Sequence, residues 1–370
     1  MKHKIVFLTV FLLIITIYLV GSVTRSISNT SDNKATFIHN SKGNYWNPSD
    51  SNAIQNAIDD LGSQGGIVWV GSDVTLDSTI LMKSRVEIDF QGHTATLNSN
   101  QPFINFKECM RASLRNAYVI PSNAHSTPII LLESGNNWNT RVRYNLIENV
   151  KIIESSPYTT NHDWTGIRLL AEGDSDITFN TFRDISIYGC NNGILLDCTH
   201  SGAYINGNHF DDIEIERFVN GILFSGSGDI SANIFEDIQL QAPEAGVNYD
   251  VPIWGIRDIQ GNNNRFLNTI VWDWEVSHNP QKTFSITGEA TDTVISTMAG
   301  YKFRYPYIDD QGTFTQLQIG AQERPVIIKS DAPPSSYADG QTLVWIDTND
   351  NDRTYLCFFW NGERRLIELS

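Results

Sequence analysis

Apolar and polar residues recur in a fixed phrase through the middle of the chain. The phrase Asn-x-Phe-x-Asp-Ile-x-Ile occurs at Asn180–Ile187, at Asn208–Ile215 and, ending in leucine, at Asn233–Leu240. Weaker copies flank these three, at Asn145–Ile152 and Asn264–Val271. The strong copies recur every 25 to 28 residues. Self-similarity at such a period is typical of an architecture in which each repeat stacks on the next.

The spacing of apolar residues within the phrase predicts two short strands joined by a corner. Ile185 and Ile187 alternate as in a strand, but Phe182 and Ile185 are three residues apart. Because successive side chains of a strand point to opposite faces, both can point inward only if the chain turns near Arg183–Asp184. Parallel stacking then buries Phe182 on Phe210 on Phe235, and Ile185 on Ile213 on Ile238. The pattern predicts a β-solenoid.

The asparagine that opens each copy fits the same arrangement. Stacked asparagines at a corner can hydrogen-bond along their column and satisfy backbone groups of the turn, although asparagine is also simply a good turn residue. Leucine-rich repeats have a similar length and an asparagine, but these copies favour phenylalanine and isoleucine and contain no Leu-x-x-Leu-x-Leu phrase. The copies therefore favour the β-solenoid.

Different patterns precede and follow the repeats. Apolar residues at helical spacing predict a helix from Ala53 to Leu61, ended by Gly62, and short apolar runs then predict strands beginning with 66–70. Near the C-terminus, residues 342–346, 354–360 and 365–369 alternate as strands, with Asn361-Gly362 as a hairpin turn. The acidic run 347–352 lacks the glycine and glutamate of a calcium loop, so we interpret it as a polar hairpin loop.

The N-terminal segment predicts export. The twenty residues Ile5–Thr24 are uncharged and mainly apolar, long enough to cross a bilayer as a helix, with Lys2 and Lys4 on the side that stays inside. We favour an uncleaved membrane anchor, and a cleaved signal peptide is the alternative. The predicted organisation is an anchor or signal at 1–25, a tether at 26–44, a parallel β-helix at 45–300, a connecting segment at 301–324 and a C-terminal β-hairpin unit at 325–370.

Composition narrows the functional classes. The 370 residues carry a formal charge of −16, which argues against a nucleic-acid partner held through its phosphates. With 41% hydrophobic and 18% charged residues, the chain can form a sizeable core. Its four cysteines are too few for a disulfide scaffold and lack the spacing of a zinc site. We expect buried thiols, with a Cys190–Cys198 bridge as the alternative.

The opening of the predicted solenoid resembles a known family. Residues 53–59, 65–70, 78–80 and 86–92 are similar to the opening of the pectate lyase superfamily, especially its tailspike-like and epimerase-like branch. The resemblance covers roughly residues 45–300. It implies an all-β, right-handed parallel β-helix whose N-terminal helix caps the first turn. It is specific to the fold and not to a reaction, so activity has to be argued from the site residues.

The catalytic signatures of the family are largely missing. Polygalacturonase-like hydrolases carry Asn-Thr-Asp, Asp-Asp, Gly-His-Gly and Arg-x-Lys, of which this chain offers only Asp211-Asp212. Asp212 occupies the corner position of its repeat, as do Asp184 and Asp237, so we interpret these acids as turn residues. Pectate lyases use carboxylate-bound calcium and an arginine base, for which Arg168 and Arg304 are weak candidates.

Two clusters combine acids with aromatic rings, the combination that a sugar requires for hydroxyl contacts, acid–base chemistry and stacking. The first is the run Trp272-Asp273-Trp274-Glu275, and the second is Asp163-Trp164. We assign catalysis to Asp273, Glu275 and Asp163, and substrate binding to Trp272, Trp274, Trp164 and Arg168. The alternative is that the tryptophans close the end of the solenoid and the acids are solvated.

Two functions follow from these residues and the resemblance. We expect an exported, surface-displayed protein that acts on polysaccharide as a lyase, hydrolase or epimerase; the alternative is a non-catalytic glycan-binding adhesin or fibre module. The expected partners are a polysaccharide or surface glycan and, through the N-terminal segment, a membrane. The resemblance is compatible with Ca²⁺ as a cofactor and with assembly as a homotrimer.

Overall fold

The computed structural model describes residues 37–122, 125–154, 163–241, 253–272, 282–297, 307–313, 315–318, 326–330, 342–347, 349, 353–360 and 363–369. The described elements are one α-helix, a short 3-10 helix (Gly62–Gln64) and 28 strands. The helix is α1 (Ala53–Leu61), and the strands are β1 (Ile38–Asn40), β2 (Tyr45–Trp46), β3 (Gly66–Val70), β4 (Val74–Leu76), β5 (Ile80–Leu81), β6 (Val86–Asp89), β7 (Thr94–Leu97), β8 (Ile104–Lys107), β9 (Ser113–Ile120), β10 (Pro128–Glu133), β11 (Val142–Arg143), β12 (Leu146–Ile153), β13 (Thr165–Ala171), β14 (Asp176–Thr178), β15 (Thr181–Cys198), β16 (Tyr204–Asn206), β17 (His209–Gly226), β18 (Ile234–Gln241), β19 (Trp254–Ile259), β20 (Arg265–Trp272), β21 (Lys282–Ile286), β22 (Val294–Thr297), β23 (Tyr307–Asp310), β24 (Gln316–Gln318), β25 (Val326–Ser330), β26 (Thr342–Asp347), β27 (Arg353–Trp360) and β28 (Glu363–Leu369).

Helix α1 caps the first strands, as predicted. Its apolar face, which includes Ile54, Ile58 and Leu61, is buried in the core. Gly62 ends the helix with a φ of 63°, a left-handed conformation that glycine adopts without steric cost. Next to the helix, β1 pairs antiparallel with β2 and β3, so the chain enters the fold through a small antiparallel unit before the parallel turns begin.

The repeats stack in parallel in the predicted register. Phe182, Phe210, Phe235 and Phe266 pair one above the other, with ring centroids 4.5, 4.6 and 4.7 Å apart and the planes of successive rings nearly parallel. Ile213 is fully buried and lies in register between Ile185 and Ile238. The all-β parallel β-helix is therefore confirmed, with its core running as columns of identical side chains.

The asparagines that open the copies form a buried ladder. Except in the last, Asn264, the Nδ2 of each donates to the Oδ1 of its equivalent in the next turn, at 2.9 to 3.2 Å, and that Oδ1 also accepts the backbone amide of the earlier asparagine. The predicted column is confirmed. Its members are Asn145, Asn180, Asn208, Asn233 and Asn264.

The corner predicted near Arg183–Asp184 is present as one residue with positive φ inside a continuous strand. Asp184, at φ 53°, sits between the two apolar halves of β15. Equivalent residues on neighbouring turns have φ between 52° and 56°. We call this column the second corner; its residues are Asn116, Asn149, Asp184, Asp212, Asp237 and Asn268.

The parallel ladder extends past the predicted boundary at residue 300. Strand β23 pairs in parallel with β21 and β25, and β24 with β22, so the segment predicted as a connection, 301–324, contributes strands to the solenoid. The phrase is no longer recognisable there, yet apolar alternation is enough to add a turn to an existing edge. Beyond it, β26, β27 and β28 form the predicted antiparallel unit, joined to β25 through parallel pairing with β26.

All four cysteines are free and buried, which confirms the buried thiols. Burial raises the pKa of Cys109 to about 12 and also raises the pKa of Cys190. Because the thiolate is the reactive form, we expect no alkylation of the native protein by iodoacetamide at pH 8 within an hour, and four modified thiols after denaturation. Mass spectrometry distinguishes the two; rapid native labelling would contradict this packing.

The predicted membrane segment, Ile5–Thr24, lies outside the described residues. Among the residues that the structure does describe, no helix is both long and apolar enough to cross a bilayer. Anchoring and trimer formation therefore stay predictions.

Candidate functional site: an acidic groove at the second corner

The structure separates the residues predicted for the site. Asp163 is exposed and lies two residues before β13, whereas Trp164 is only 2% exposed and belongs to the hydrophobic core. A ring packed in the core cannot stack on a sugar, so the substrate contact predicted for Trp164 is corrected to a packing role. Trp272 ends β20, while Asp273, Trp274 and Glu275 lie outside the described residues, where their roles stay predictions.

Arg168 lies on the outward side of β13, as predicted, but its charge is already paired. Its guanidinium donates to Asp197 on the next turn. On the same sheet Glu133 accepts hydrogen bonds from Asn105 and from Lys107. On this outer face, Arg168 and Glu133 are therefore already paired with oppositely charged side chains. Acids without such partners lie on another part of the solenoid.

Acids that form no ion pair with the described residues lie along the second corner. Residues of five successive turns line a groove of about 580 Å³: Glu148, Arg183, Asp184, Asp211, Asp212, Asp237, Gln239 and Asn268. The lining includes residues of the corner column and the residues that directly precede that column on their strands, Glu148, Arg183 and Asp211. Because parallel strands are about 4.8 Å apart, the corner aspartates Asp184, Asp212 and Asp237 follow one another at about that interval on three successive turns.

The fold explains the conformation of these aspartates but not their charge. Asparagine and aspartate both tolerate positive φ, and asparagine fills the corner column on the turns that flank the three aspartates, at Asn149 and at Asn268. The three turns between them carry aspartate, which adds repulsion that asparagine would avoid. The interpretation of Asp184, Asp212 and Asp237 as turn residues is therefore confirmed for the backbone and leaves their carboxylates unexplained.

The basic residues nearest the groove form their ion pairs with an acid outside the corner column, although the charge of Arg183 also acts on Asp184 and Asp211. Arg183 and Arg115 both pair with Glu148. Among the described residues, Asp184, Asp211, Asp212 and Asp237 form no ion pair. Partial desolvation raises the pKa of Asp212, and the like charges of Asp184, Asp211 and Asp237 raise it further. The groove thus holds a carboxyl group that retains its proton to higher pH than a solvated aspartate, beside carboxylates on neighbouring turns.

A potential metal-binding cluster adjoins the groove. Ligand atoms of His209, Asp211 and Glu236 lie within 4.8 Å of one another, and the Nε2 of His209 is 3.4 Å from Glu236. The carboxylates suit Ca²⁺, which prefers oxygen ligands. The imidazole fits Ca²⁺ poorly and is more typical of a transition-metal site. The cluster therefore does not match the calcium suggested by the family, and the chemistry below uses no metal.

One signal in the sequence could have identified the groove. The fifth residue of successive copies reads Asn149, Asp184, Asp212, Asp237 and Asn268. An exchange of asparagine for aspartate confined to adjacent copies places negative charge on one edge of a solenoid. The spacing predicted the corner and its three aspartates, but the change of residue type between these copies and the flanking ones was not used.

Comparisons with known proteins find solved structures of low similarity. No family model and no curated protein matches the chain. Among solved structures, ORF18 of Geobacillus virus E2 matches with a TM-score of 0.38 and 14% identity over 85% of this chain, which spans 65% of that protein. The surface adhesin PfbA of Streptococcus pneumoniae matches with a TM-score of 0.36 and 11% identity, over 86% of this chain and 96% of the adhesin chain. The tailspike of E. coli bacteriophage HK620, solved with a hexasaccharide, matches with a TM-score of 0.36 and 12% identity, over 83% of this chain and 63% of the tailspike chain. At these values the matches transfer no activity.

Proposed function

We propose that the protein hydrolyses glycosidic bonds of a polysaccharide lying along the acidic groove. The observation that carries the proposal is the row of three aspartates at corner positions where the fold accepts asparagine. Glycosidases use a protonated carboxyl group and an ionised one on either side of the scissile bond. Membership of the pectate lyase superfamily and display outside the cell, both suggested by the sequence, belong to the same proposal.

The raised pKa of Asp212 and the spacing of the corner aspartates support a catalytic role for each of them. Asp212 has the raised pKa and lies between the other two corner acids, so it serves as the general acid that protonates the leaving oxygen. Asp184 and Asp237 lie one turn to either side. The strand interval of about 4.8 Å is close to the carboxyl separation of about 5 Å in retaining glycosidases. One of these two therefore acts as the nucleophile, and the product retains its anomeric configuration.

Charge selects among the three reaction types expected from the sequence. Elimination and epimerisation act on uronic acids, whose carboxylate has to be neutralised before a proton leaves the adjacent carbon. The groove is negatively charged, and its arginine, Arg183, is engaged by Glu148. A neutral sugar meets no repulsion there, so hydrolysis next to neutral residues fits the groove better than lyase or epimerase chemistry.

Asp212→Asn is expected to lower turnover by about 10²-fold or more, because general acid catalysis contributes about that much. In the unmodified protein, activity should fall as pH rises through the raised pKa of Asp212, since the acid must be protonated to act. Release of reducing ends from a panel of neutral polysaccharides measures both effects. Asp292→Asn is the matched control: it makes the same change at an exposed position of positive φ outside the groove.

A full rate in Asp212→Asn would place the chemistry elsewhere. If Asp273→Asn and Glu275→Gln lost the activity instead, the aromatic and acidic run predicted from the sequence would be the site.

Glycan binding without cleavage is the second candidate. It is favoured by an exposed pair of stacked rings, Tyr144 and Phe179, whose centroids are 5.6 Å apart. A protein that retains a polysaccharide on an affinity gel but releases no reducing or unsaturated ends would act as an adhesin or fibre module.

A further inference from the structure

Another column of positive-φ residues runs along the solenoid just before the asparagine ladder. Its members occupy eight successive turns, and the backbone amide of each donates to the carbonyl that precedes its equivalent in the next turn, from Arg85 to Met110 at 3.0 Å through Asp292 to Thr313 at 3.0 Å. The backbone is thus repeated regularly from turn to turn. We call this column the first corner; it comprises Arg85, Arg111, Tyr144, Phe179, Gly207, Ala232, Asn263 and Asp292.

Four consecutive members are large residues that this conformation disfavours. Arg85, Arg111, Tyr144 and Phe179 have φ of 66°, 58°, 60° and 59°. Positive φ costs free energy for bulky residues and persists where the surrounding structure enforces it, often at functional sites. The same column accepts glycine at Gly207. The backbone therefore does not require these four side chains.

The two aromatic members form an exposed platform. Tyr144 and Phe179 are 50% and 52% exposed, and their rings stack 5.6 Å apart with an angle of 10° between planes. A Cβ atom at Gly207 would lie 2.8 Å from the Phe179 ring, so the glycine makes room for the ring to lie against the backbone. Flat, half-exposed rings in series offer faces to the C–H surface of sugars.

The two arginines extend this platform with positive charge. Arg85 and Arg111 are exposed, and neither forms an ion pair with a described residue. They line a cavity of about 540 Å³ together with Lys83, which is paired with Asp59 at 2.7 Å. In a chain of net charge −16, two unpaired arginines on adjacent turns make a local site for an anion.

We propose that Arg85, Arg111, Tyr144 and Phe179, the basic-aromatic ridge, bind an acidic oligosaccharide that contains uronic acid residues. The rings stack on sugar faces, and the guanidinium groups pair with carboxylates. Each turn advances the ridge by about 4.8 Å, comparable to the length of one pyranose unit, so successive sugars meet successive turns. This site is distinct from the acidic groove, because it lies at a different corner and has the opposite charge preference. It rests on glycan binding, the second candidate function, for which it names the class of ligand and adds the two arginines.

The test uses calorimetry on the full chain with hexagalacturonate, cellohexaose and a ten-nucleotide oligothymidylate as probes. Hexagalacturonate is expected to bind, more weakly as salt is added, and the other two to bind at least tenfold more weakly. Tyr144→Gly/Phe179→Gly is expected to weaken binding about tenfold or more. Glycine suits positive φ, so the melting temperature of that variant should stay close to that of the parent.

Further variants separate charge, stacking and backbone effects. Arg85→Gln/Arg111→Gln should lose both the affinity for hexagalacturonate and its salt dependence. Ala232→Gly, which relaxes the backbone of the same column away from the ridge, should bind like the parent. Asp212→Asn should also leave this binding intact, which keeps the ridge distinct from the groove. The proposal is overturned if no hexagalacturonate binds at millimolar concentration, if the glycine and glutamine variants bind as the parent does, or if oligothymidylate binds equally well.

Discussion

Ile213→Asp is expected to destabilise the protein by about 3–5 kcal/mol, because it places an unpaired charge in an apolar column. Ile213 is fully buried, with Ile185 and Ile238 as its partners on the two adjacent turns. A carboxylate there has no cation to pair with among these neighbours, and the chain cannot turn the residue outward without shifting the register of the whole strand. The substitution therefore interrupts the stack in its most regular section.

Urea unfolding followed by circular dichroism measures this effect. Glu214→Asp is the control, because its side chain is exposed on the adjacent position of the same strand, and its midpoint should barely move. An unchanged midpoint for Ile213→Asp would refute the stacking register.

Asn208→Ala is expected to cost about 3 kcal/mol or more, because one side chain serves several buried partners. Its Oδ1 accepts both the amide and the Nδ2 of Asn180, and its Nδ2 donates to Ile177 and Asn233. Alanine leaves two donors and two acceptors without these bonds in a dry corner. Unsatisfied buried polar groups are more costly than the average hydrogen bond is stabilising.

The same unfolding measurement tests the ladder. Asn263→Gly is the control, because the side chain of Asn263 is exposed. It should change the free energy of unfolding by less than about 0.5 kcal/mol. If Asn208→Ala were equally mild, the ladder would contribute little and the apolar columns alone would set the register.

The sequence by itself determined the repeated part of the fold. In a solenoid each residue contacts its equivalent one turn away, so a phrase repeated in the sequence reports contacts directly. Phe182, Ile185 and Asn180 could therefore be placed in columns with their equivalents, and the odd spacing between Phe182 and Ile185 located the corner at Asp184. Helix α1 was equally readable, because its spacing and Gly62 are local signals.

Only the tertiary structure decided which side chains share a surface. The aspartates of the groove were visible in the sequence, but the pairing of Arg183 with Glu148, which leaves the aspartates without an ion pair among the described residues, depends on neighbouring turns. Trp164 looked like a sugar contact beside Asp163 and proved to be buried, because its environment comes from packing and not from its neighbours in sequence. The basic-aromatic ridge has no repeated phrase at all. Arg85, Arg111, Tyr144 and Phe179 are separated by turns of unequal length, and the backbone ladder that aligns them exists only once the solenoid is folded.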